Sequence, residues 1–438
     1  MLGCTAHRQG GASGRVDELH PQNKSSKAGV LGGGGTLSGM GVSMVDALST
    51  LWLMGLHTEF WEARNWLLQH LRFDQPGTVS FFEAVISVVG GLVSASQLSG
   101  DAALGTLAAD LAQRLLPAFT WAPTGVVNNT VMLPVAVPDA GNGSMPLAEM
   151  GSNILALLLG SIDRLTGLEV GMRRSVGPGT DSYYEYLLKY WLMGGKQDER
   201  FRRRWEQAVN EALEQLMVHP PGWSFSYLGD LVGTTLDPAL DHLRCFFPGS
   251  VALGVMSGAV EGHKAQRHLQ FAANMTTACF QLYNSTASGL GAEIIGFHSQ
   301  TGQVVHLNPR YLQRPEVTES IFYMWRATHD RRWRDMGWRM WRAIQAHCRW
   351  EGGYSGALNA TQVPVESDNV QQSWFLAETL KYFWLLFSPD AALPLRHWVL
   401  NTEAHPLRVL REHSGGPATP WRGGAQWRQQ LRGRLWGG

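Results

Sequence analysis

From Met44 onward the chain alternates apolar stretches of helical period with polar connections rich in glycine and proline. Val45, Leu48, Leu51, Trp52 and Leu56 recur at the spacing of one helix face, and Gly55 falls near its end. The same texture predicts helices over 58–71, 81–98, 101–116, 147–165, 182–194, 198–218, 250–260, 265–284, 315–328, 331–349 and 371–387. Residues 117–145 are rich in Pro, Gly and Asn and carry β-like pieces such as 131–137. Long connections of this kind in compact domains are often functional. A short hairpin is predicted over 223–227, and short strands over 292–297 and 304–307. Residues 1–42, with Gly32 to Gly35 in a row, read as irregular, and the Gly-, Arg- and Trp-rich residues 413–438 read as a disordered tail.

Repeated helix–loop–helix units can build a bundle, a solenoid or a closed α/α barrel. The polar clusters discriminate between these. They fall at helix starts and in loops: Asp46, Glu83, Glu149, Asp181, Arg314–Glu319, Trp374–Glu378 and Thr402–His405. Clusters that return to one end at every second helix predict an all-α barrel over 43–412, with its site at one mouth.

Composition narrows the class. The 438 residues are 44% hydrophobic and 16% charged, which suits a large core. Lys plus Arg balances Asp plus Glu at 36 each, so no basic face argues for nucleic acid. No run of 18 apolar residues predicts a membrane-spanning helix, and the first 40 residues lack a signal-peptide core. Cys4, Cys245, Cys279 and Cys348 match no zinc spacing. Sequons at Asn23, Asn128, Asn142, Asn274, Asn284 and Asn359 lend weak support to a secretory setting.

The candidate chemistry centres on Arg314-Pro-Glu316. Pro315 suits the first turn of a helix, whose positive end favours the Glu316 carboxylate. Glu319 lies one turn on, and Arg314 can hold a carboxylate or hydroxyls in a planar fork. Taken alone, this is an ordinary acidic first turn. Phe81-Phe82-Glu83 sets a carboxylate among aromatics, a setting that raises a pKa and suits a general acid. Asp181 and Glu185 share a helix face after a glycine-rich turn, and Asp181 doubles as an N-cap candidate. Trp374 and Glu378 are one turn apart in an otherwise apolar helix, the pairing of an aromatic face and a carboxylate that floors a sugar site. Asn401–Pro406 gathers polar groups, and Thr402 offers two oxygens to a hard cation, although nothing resembles an EF-hand loop. No nucleophile elbow, phosphate loop, dinucleotide fingerprint or His-Glu-x-x-His occurs. Scattered acids with Arg and aromatics fit two-carboxylate glycoside hydrolysis.

Taken in order, these segments resemble the class I α-mannosidases, glycoside hydrolase family 47, which trim α1,2-linked mannose from N-glycans. The resemblance is carried by Asp17-Glu-Leu, Val45-Asp-Ala-Leu48, Leu53-Met-Gly-Leu56, Phe82-Glu83, Gly90-Gly-Leu92, Leu147-Ala-Glu149 and Asp181-Ser-Tyr-Tyr-Glu-Tyr-Leu-Leu-Lys189. It continues through His242-Leu-Arg-Cys-Phe246, Pro248-Gly249, Arg314-Pro-Glu316, Glu319-Ser320, Gly352-Gly-Tyr-Ser-Gly356, Gln371–Tyr382 and Asn401-Thr-Glu-Ala-His-Pro-Leu407. It implies an (α/α)7 barrel and an inverting, Ca²⁺-dependent mannosyl-oligosaccharide 1,2-α-mannosidase. Glu316 matches the general base. Glu83 matches the general acid acting through a water, with Asp181 the other candidate. Thr402 matches the Ca²⁺-binding threonine. Glu185, Glu319, Glu378 and Glu403 match residues that hold the waters and sugar hydroxyls around that ion, and Arg314 and Trp374 match sugar contacts. Cys245 and Cys279 match the family's disulfide pair.

The resemblance further implies a high-mannose N-glycan as partner, the lumen of the endoplasmic reticulum or Golgi as compartment, and a monomer. Family members are usually membrane-anchored, and against that resemblance the family's first helix and anchor are expected to be missing or degraded upstream of Asp17. Four positions depart from the common pattern: Ser49 where many members have Asp, Ser87 where Arg is common, Ala156 where Glu is common, and Gly179 where the endoplasmic-reticulum type has Arg. Gly179 leans towards the Golgi type. The departures leave a second reading open: a catalytically weak mannose-binding lectin, or a degradation-enhancing relative, in glycoprotein quality control.

Overall fold

The computed structural model describes residues 18–23, 25–27, 40–74, 77–120, 130–133, 137–138, 144–146, 161–163 and 173–410. Their helices are of two kinds, and the distinction follows from sequence. Outer helices carry a single apolar stripe. In α6 (Glu199–Gln215) the buried residues are Trp205, Ala208, Val209 and Ala212, one face at i, i+3, i+4 and i+7. In α10 (Arg331–His347), Trp333, Gly337, Met340 and Ile344 do the same beneath an arginine-rich outer face. Inner helices are buried on nearly all sides. Every residue of α1 (Val42–Leu53) from Val42 to Leu51 is buried, as is α7 (Phe247–Ser257) except for Val255.

The remaining described helices are α2 (His57–His70), α3 (Phe81–Ser99), α4 (Ala102–Leu115), α5 (Asp181–Met193), α8 (Gly262–Asn284), α9 (Glu316–Thr328) and α11 (Leu380–Phe387). α1 packs on α3, α5 on α7, α7 on α9 and α9 on α11, and the π-helical turn Phe375–Thr379 leading into α11 returns to α1. α2, α4, α6, α8 and α10 each pack outside the inner helix that precedes them. This is an α/α barrel. Between α3 and α5 the sequence runs through residues 121–172, most of which lie outside the described residues.

The small pair Gly90-Gly91 has a specific use. A Cβ at Gly90 would stand 2.7 Å from the Asn401 amide nitrogen, and one at Gly91 would stand 2.7 Å from Val45. Bare backbone at both positions lets α3 close on α1 and on the turn before His405. α3 is long and apolar enough to cross a membrane by length and composition, but its buried residues serve the barrel interior.

Several expectations shift. The segment read as irregular contains a hairpin, with Glu18–His20 against Ser25–Lys27, and Leu19 accepts a hydrogen bond from the Gln371 N–H. That part of 1–42 therefore docks on the barrel. The helix predicted over 147–165 is not what its described part adopts: Ser161–Asp163 is a strand paired with Ser144–Pro146. The rest of that segment, with Glu149 and Ala156, lies outside the described residues, as do 411–438. Residues 223–227 do not form a hairpin of their own: Tyr227–Leu228 pairs with Met217–Val218 across the connection 219–226, and a separate hairpin follows, Asp230–Val232 against Thr235–Asp237, where Gly233 supplies the left-handed backbone (φ 61°) of the turn. α7 starts earlier than predicted: Phe247-Pro248-Gly249 reads as a break, yet Pro is tolerated in a first turn.

Candidate active site

Glu316 opens α9, where Pro315 is the capping residue. The approach is rigid. Gln313 sits in the left-handed region (φ 61°), its side chain accepts from the Gln372 N–H, and its carbonyl accepts from the Thr379 hydroxyl. Glu316 Oε2 lies 3.0 Å from His242 Nδ1, and His242 Nε2 lies 3.1 Å from the Tyr283 hydroxyl. With Glu316 ionised, Nδ1 must donate to it, which leaves Nε2 to accept from Tyr283. Burial, then the nearby Glu316 charge, pushes the Tyr283 hydroxyl well above its ordinary pKa, so it stays a donor. The Glu316 side chain keeps 12% of its surface open, against 5% and 7% for Glu185 and Glu319. It is the carboxylate of the three best placed to meet a water.

Arg314 donates to Glu293 Oε2 at 2.6 Å and stacks over Trp374, 5.6 Å from the ring centre. Trp374 is itself fixed by its Nε1–H bond to the Leu312 carbonyl. Glu378 follows in the π-helical turn, and a second π-helical turn, Ala84–Val89, follows Glu83. Such turns add a residue to the helix and are frequent at functional sites. The Glu83 N–H donates to the Ser80 hydroxyl, which caps that helix.

Asp181 begins α5 and accepts from the Ser182 N–H. Burial raises its pKa to about 7 against that hydrogen bond, with the Glu316, Glu185 and Asp241 charges adding to the rise. Burial likewise raises Glu319, Glu378 and Glu403, and neighbouring carboxylates add to each. Two buried lysines offset part of this charge. Lys189 bonds Glu185 and lies 3.7 Å from Glu319. Burial works against its charge, but Glu185, Tyr323 and Glu319 hold its pKa above the usual value. Lys381 sits under Glu378, Asp46 and Glu403, and burial lowers its pKa to about 7.

Glu83, Asp181, Glu185, Arg314, Glu316, Glu319, Trp374, Glu378, Thr402 and Glu403 all line one cavity of about 170 Å³, with Phe82, Ile86, Leu243 and Phe246. Among the described residues, seven acidic side chains and one arginine face it. The structure thus brings the candidate acids, base, sugar contacts and Thr402 to one place, while Asp46 lies behind the cavity against His405 and Glu149 falls outside the described residues. Cys245 and Cys279 form a disulfide at the outer side of α7, joining the turn before it to α8.

Among the described residues no three His, Cys, Asp or Glu side chains cluster closely enough to hold a metal ion. Thr402 is different. Neither its hydroxyl nor its carbonyl makes a hydrogen bond among the described residues. Two unengaged hard oxygens at the edge of a strongly acidic cavity fit a divalent cation whose other ligands are waters and sugar hydroxyls.

His242, Lys189 and Lys381 fall inside segments that carry the resemblance but are given no role there, and Tyr283 falls outside them. A lone His or Lys has no periodicity, and its partners come from helices distant in sequence. The departures also find places. Ser49 Oγ lies 3.1 Å from His405 Nδ1, and Asp46 lies 3.3 Å from His405 Nε2. Ser87 is buried within the π-helical turn after Glu83. Gly179 holds φ 83°, a backbone that strains any L side chain.

The sequence pattern of glycosyl hydrolase family 47 matches residues 12–167 and 156–409. Mannosyl-oligosaccharide 1,2-alpha-mannosidase IB of Mus musculus is 39% identical over 423 residues, covering 87% of this chain and 65% of that protein. The endoplasmic reticulum mannosyl-oligosaccharide 1,2-alpha-mannosidase of Homo sapiens is 32% identical over 440 residues, covering 90% and 61%. The chain therefore spans less than two thirds of the length of these relatives. The solved alpha-1,2-mannosidase from Trichoderma reesei superposes with a TM-score of 0.81 at 25% identity, covering 93% of this chain and 96% of that one.

Proposed function

Because the chain belongs to glycosyl hydrolase family 47, we propose that it is an inverting 1,2-α-mannosidase that trims high-mannose N-glycans. The observation that carries the reading is the single cavity in which Glu83, Asp181 and Glu316 face Trp374, Arg314 and Thr402. Glu316 is the general base. His242, itself held by the Tyr283 hydroxyl, engages one oxygen of Glu316, which leaves the other to take a proton from an incoming water. Asp181, protonated up to about pH 7, or Glu83 through a water, supplies the proton to the leaving glycosidic oxygen. Inversion requires acid and base carboxyls roughly 6.5–9.5 Å apart so that the water fits between base and sugar. Trp374 offers an apolar face to the ring, and Arg314 donates to its hydroxyls.

Thr402 would hold Ca²⁺ through its two oxygens. Glu185, Glu319, Glu378 and Glu403 would orient the waters and sugar hydroxyls beside it. A bound Ca²⁺ supplies a fixed positive charge that binds hydroxyls of the terminal mannose and offsets the carboxylates. The Cys245–Cys279 disulfide supports a secretory lumen, since such bonds persist in oxidising compartments. The three candidate acid and base carboxylates are all retained in the cavity, so the lectin reading is not favoured.

The test is incubation of the protein with a high-mannose glycan, with product anomer followed by NMR. Release of β-mannose, abolished by chelator and restored by Ca²⁺, supports the proposal. Tight glycan binding without release, or release of the α-anomer, rejects it.

A further inference from the structure

The turn from Asn401 to Ala404 is suspended between two buried lysines. Lys189, from α5, donates to the Asn401 carbonyl at 3.3 Å. Lys381, from α11, donates to the Ala404 carbonyl at 2.7 Å. These carbonyls lie one residue before Thr402 and two after it. Both ammonium groups are almost fully buried. A buried charge is retained only with good partners, and a methionine would fill the same volume without that demand. For Lys189 those partners include Glu185 and Glu319, and its bond to the Asn401 carbonyl ties the turn to them.

Backbone geometry gives a second, independent sign. Ala404 lies in the left-handed region (φ 51°), an uncommon conformation for a residue with a Cβ. Strained backbone persists only where its surroundings over-determine it. The Ala404 carbonyl accepts from Lys381, its N–H donates to the Asn401 carbonyl at 3.0 Å, and the Asn401 side chain accepts from the Glu403 and His405 N–H groups. Within this turn Thr402 alone keeps both carbonyl and hydroxyl unengaged among the described residues.

We propose that Lys189 and Lys381 form a clamp that takes up the carbonyls flanking Thr402, so that the hydroxyl and carbonyl of Thr402 remain presented to a divalent cation. The two lysines are positioning residues, acting through the turn rather than on substrate. The proposal rests on Thr402 being the cation ligand. It adds that cation affinity is set by side chains that never touch the cation.

The test reads Ca²⁺ affinity from the rise in melting temperature along a chelator-buffered Ca²⁺ series, independently of activity. Wild type, K189M, K381M, K189R and K381R are compared, each also melted in chelator alone. The expected result is that wild type is stabilised by Ca²⁺ and that each methionine variant needs about tenfold more Ca²⁺ for half the effect, the scale of one lost charge-assisted hydrogen bond. Should a methionine variant fail to fold, the arginine variants decide. They keep the charge but replace a point donor with a planar fork. Weakened Ca²⁺ affinity with wild-type melting in chelator supports the clamp. Arginine or methionine variants that fold and bind Ca²⁺ as wild type does overturn it. A wild-type protein whose melting ignores Ca²⁺ while it still releases mannose overturns the metal reading of Thr402 and the clamp with it.

Discussion

Replacing Tyr283 with phenylalanine removes one hydroxyl that is two hydrogen bonds away from Glu316, the proposed base. The ring stays packed against Tyr311 and His242, at 6.2 Å and 5.8 Å between centres, so the change is close to volume-neutral. What it removes is the donor that assigns the His242 tautomer. His242 Nε2 is then a buried acceptor without a donor, which costs about 1–3 kcal/mol. The imidazole can recover that cost by moving its proton to Nε2, but it then loses its bond to Glu316. Either way the base is less well oriented. At about 1.4 kcal/mol per decade, kcat should fall about 5- to 150-fold. Substrate binding through Trp374 and Arg314 is untouched, so KM should stay within about twofold. Steady-state release of mannose from a high-mannose glycan measures both constants, and a melting curve checks the fold. His242→Phe removes both bonds and should cost more than Tyr283→Phe. A folded Tyr283→Phe protein with wild-type kcat would refute the tautomer argument.

Glu316→Gln should lower turnover by orders of magnitude while leaving glycan binding intact, checked by titration calorimetry beside a rate assay; unchanged turnover rejects the assigned base. The raised Asp181 pKa gives a sign to the pH dependence. The native carboxyl holds its proton more tightly than the unfolded one, so its contribution to stability is fully present below about pH 4 and is lost as pH rises to about 7. Asp181→Asn should flatten that part of the stability profile in chelator, measured as urea midpoint against pH, and should remove the alkaline fall in kcat/KM if Asp181 is the acid. Replacing Cys245 and Cys279 together by serine opens a link between residues 34 apart. It should cost about 2–4 kcal/mol in urea unfolding, and a midpoint equal to wild type would show that the link constrains little.

The barrel was legible in sequence where burial is one-sided and blurred where it is complete. The stripes of α6 and α10 announce helices that rest on something. In α7 every position but one is buried, period disappears, and the start was misplaced by three residues. The 147–165 segment carries a helical texture that its described part, Ser161–Asp163, does not follow, because pairing with Ser144–Pro146 outweighs local propensity. Among site residues, acids at helix starts could be found because a first turn is a recognisable place for a carboxylate. The lysines and His242 could not, since each earns its position from three-dimensional neighbours. Lys189 reads as one polar residue in an apolar run until Asn401, 212 residues away, is placed beside it.

The meeting of α1 with the chain's later half has a bearing on biosynthesis. The Thr50 hydroxyl donates to the Leu376 carbonyl across 326 residues, and Ser49 meets His405 across 356. α1 is buried on nearly all sides, so its greasy surface has no complete resting place until the ribosome has delivered the last tenth of the described barrel. Contacts this far apart in sequence form late and slowly. During synthesis the first helix is the aggregation-prone one. A chain released before residue 405 would lose the seam that closes the ring, and would present α1 to chaperones rather than a smaller working enzyme.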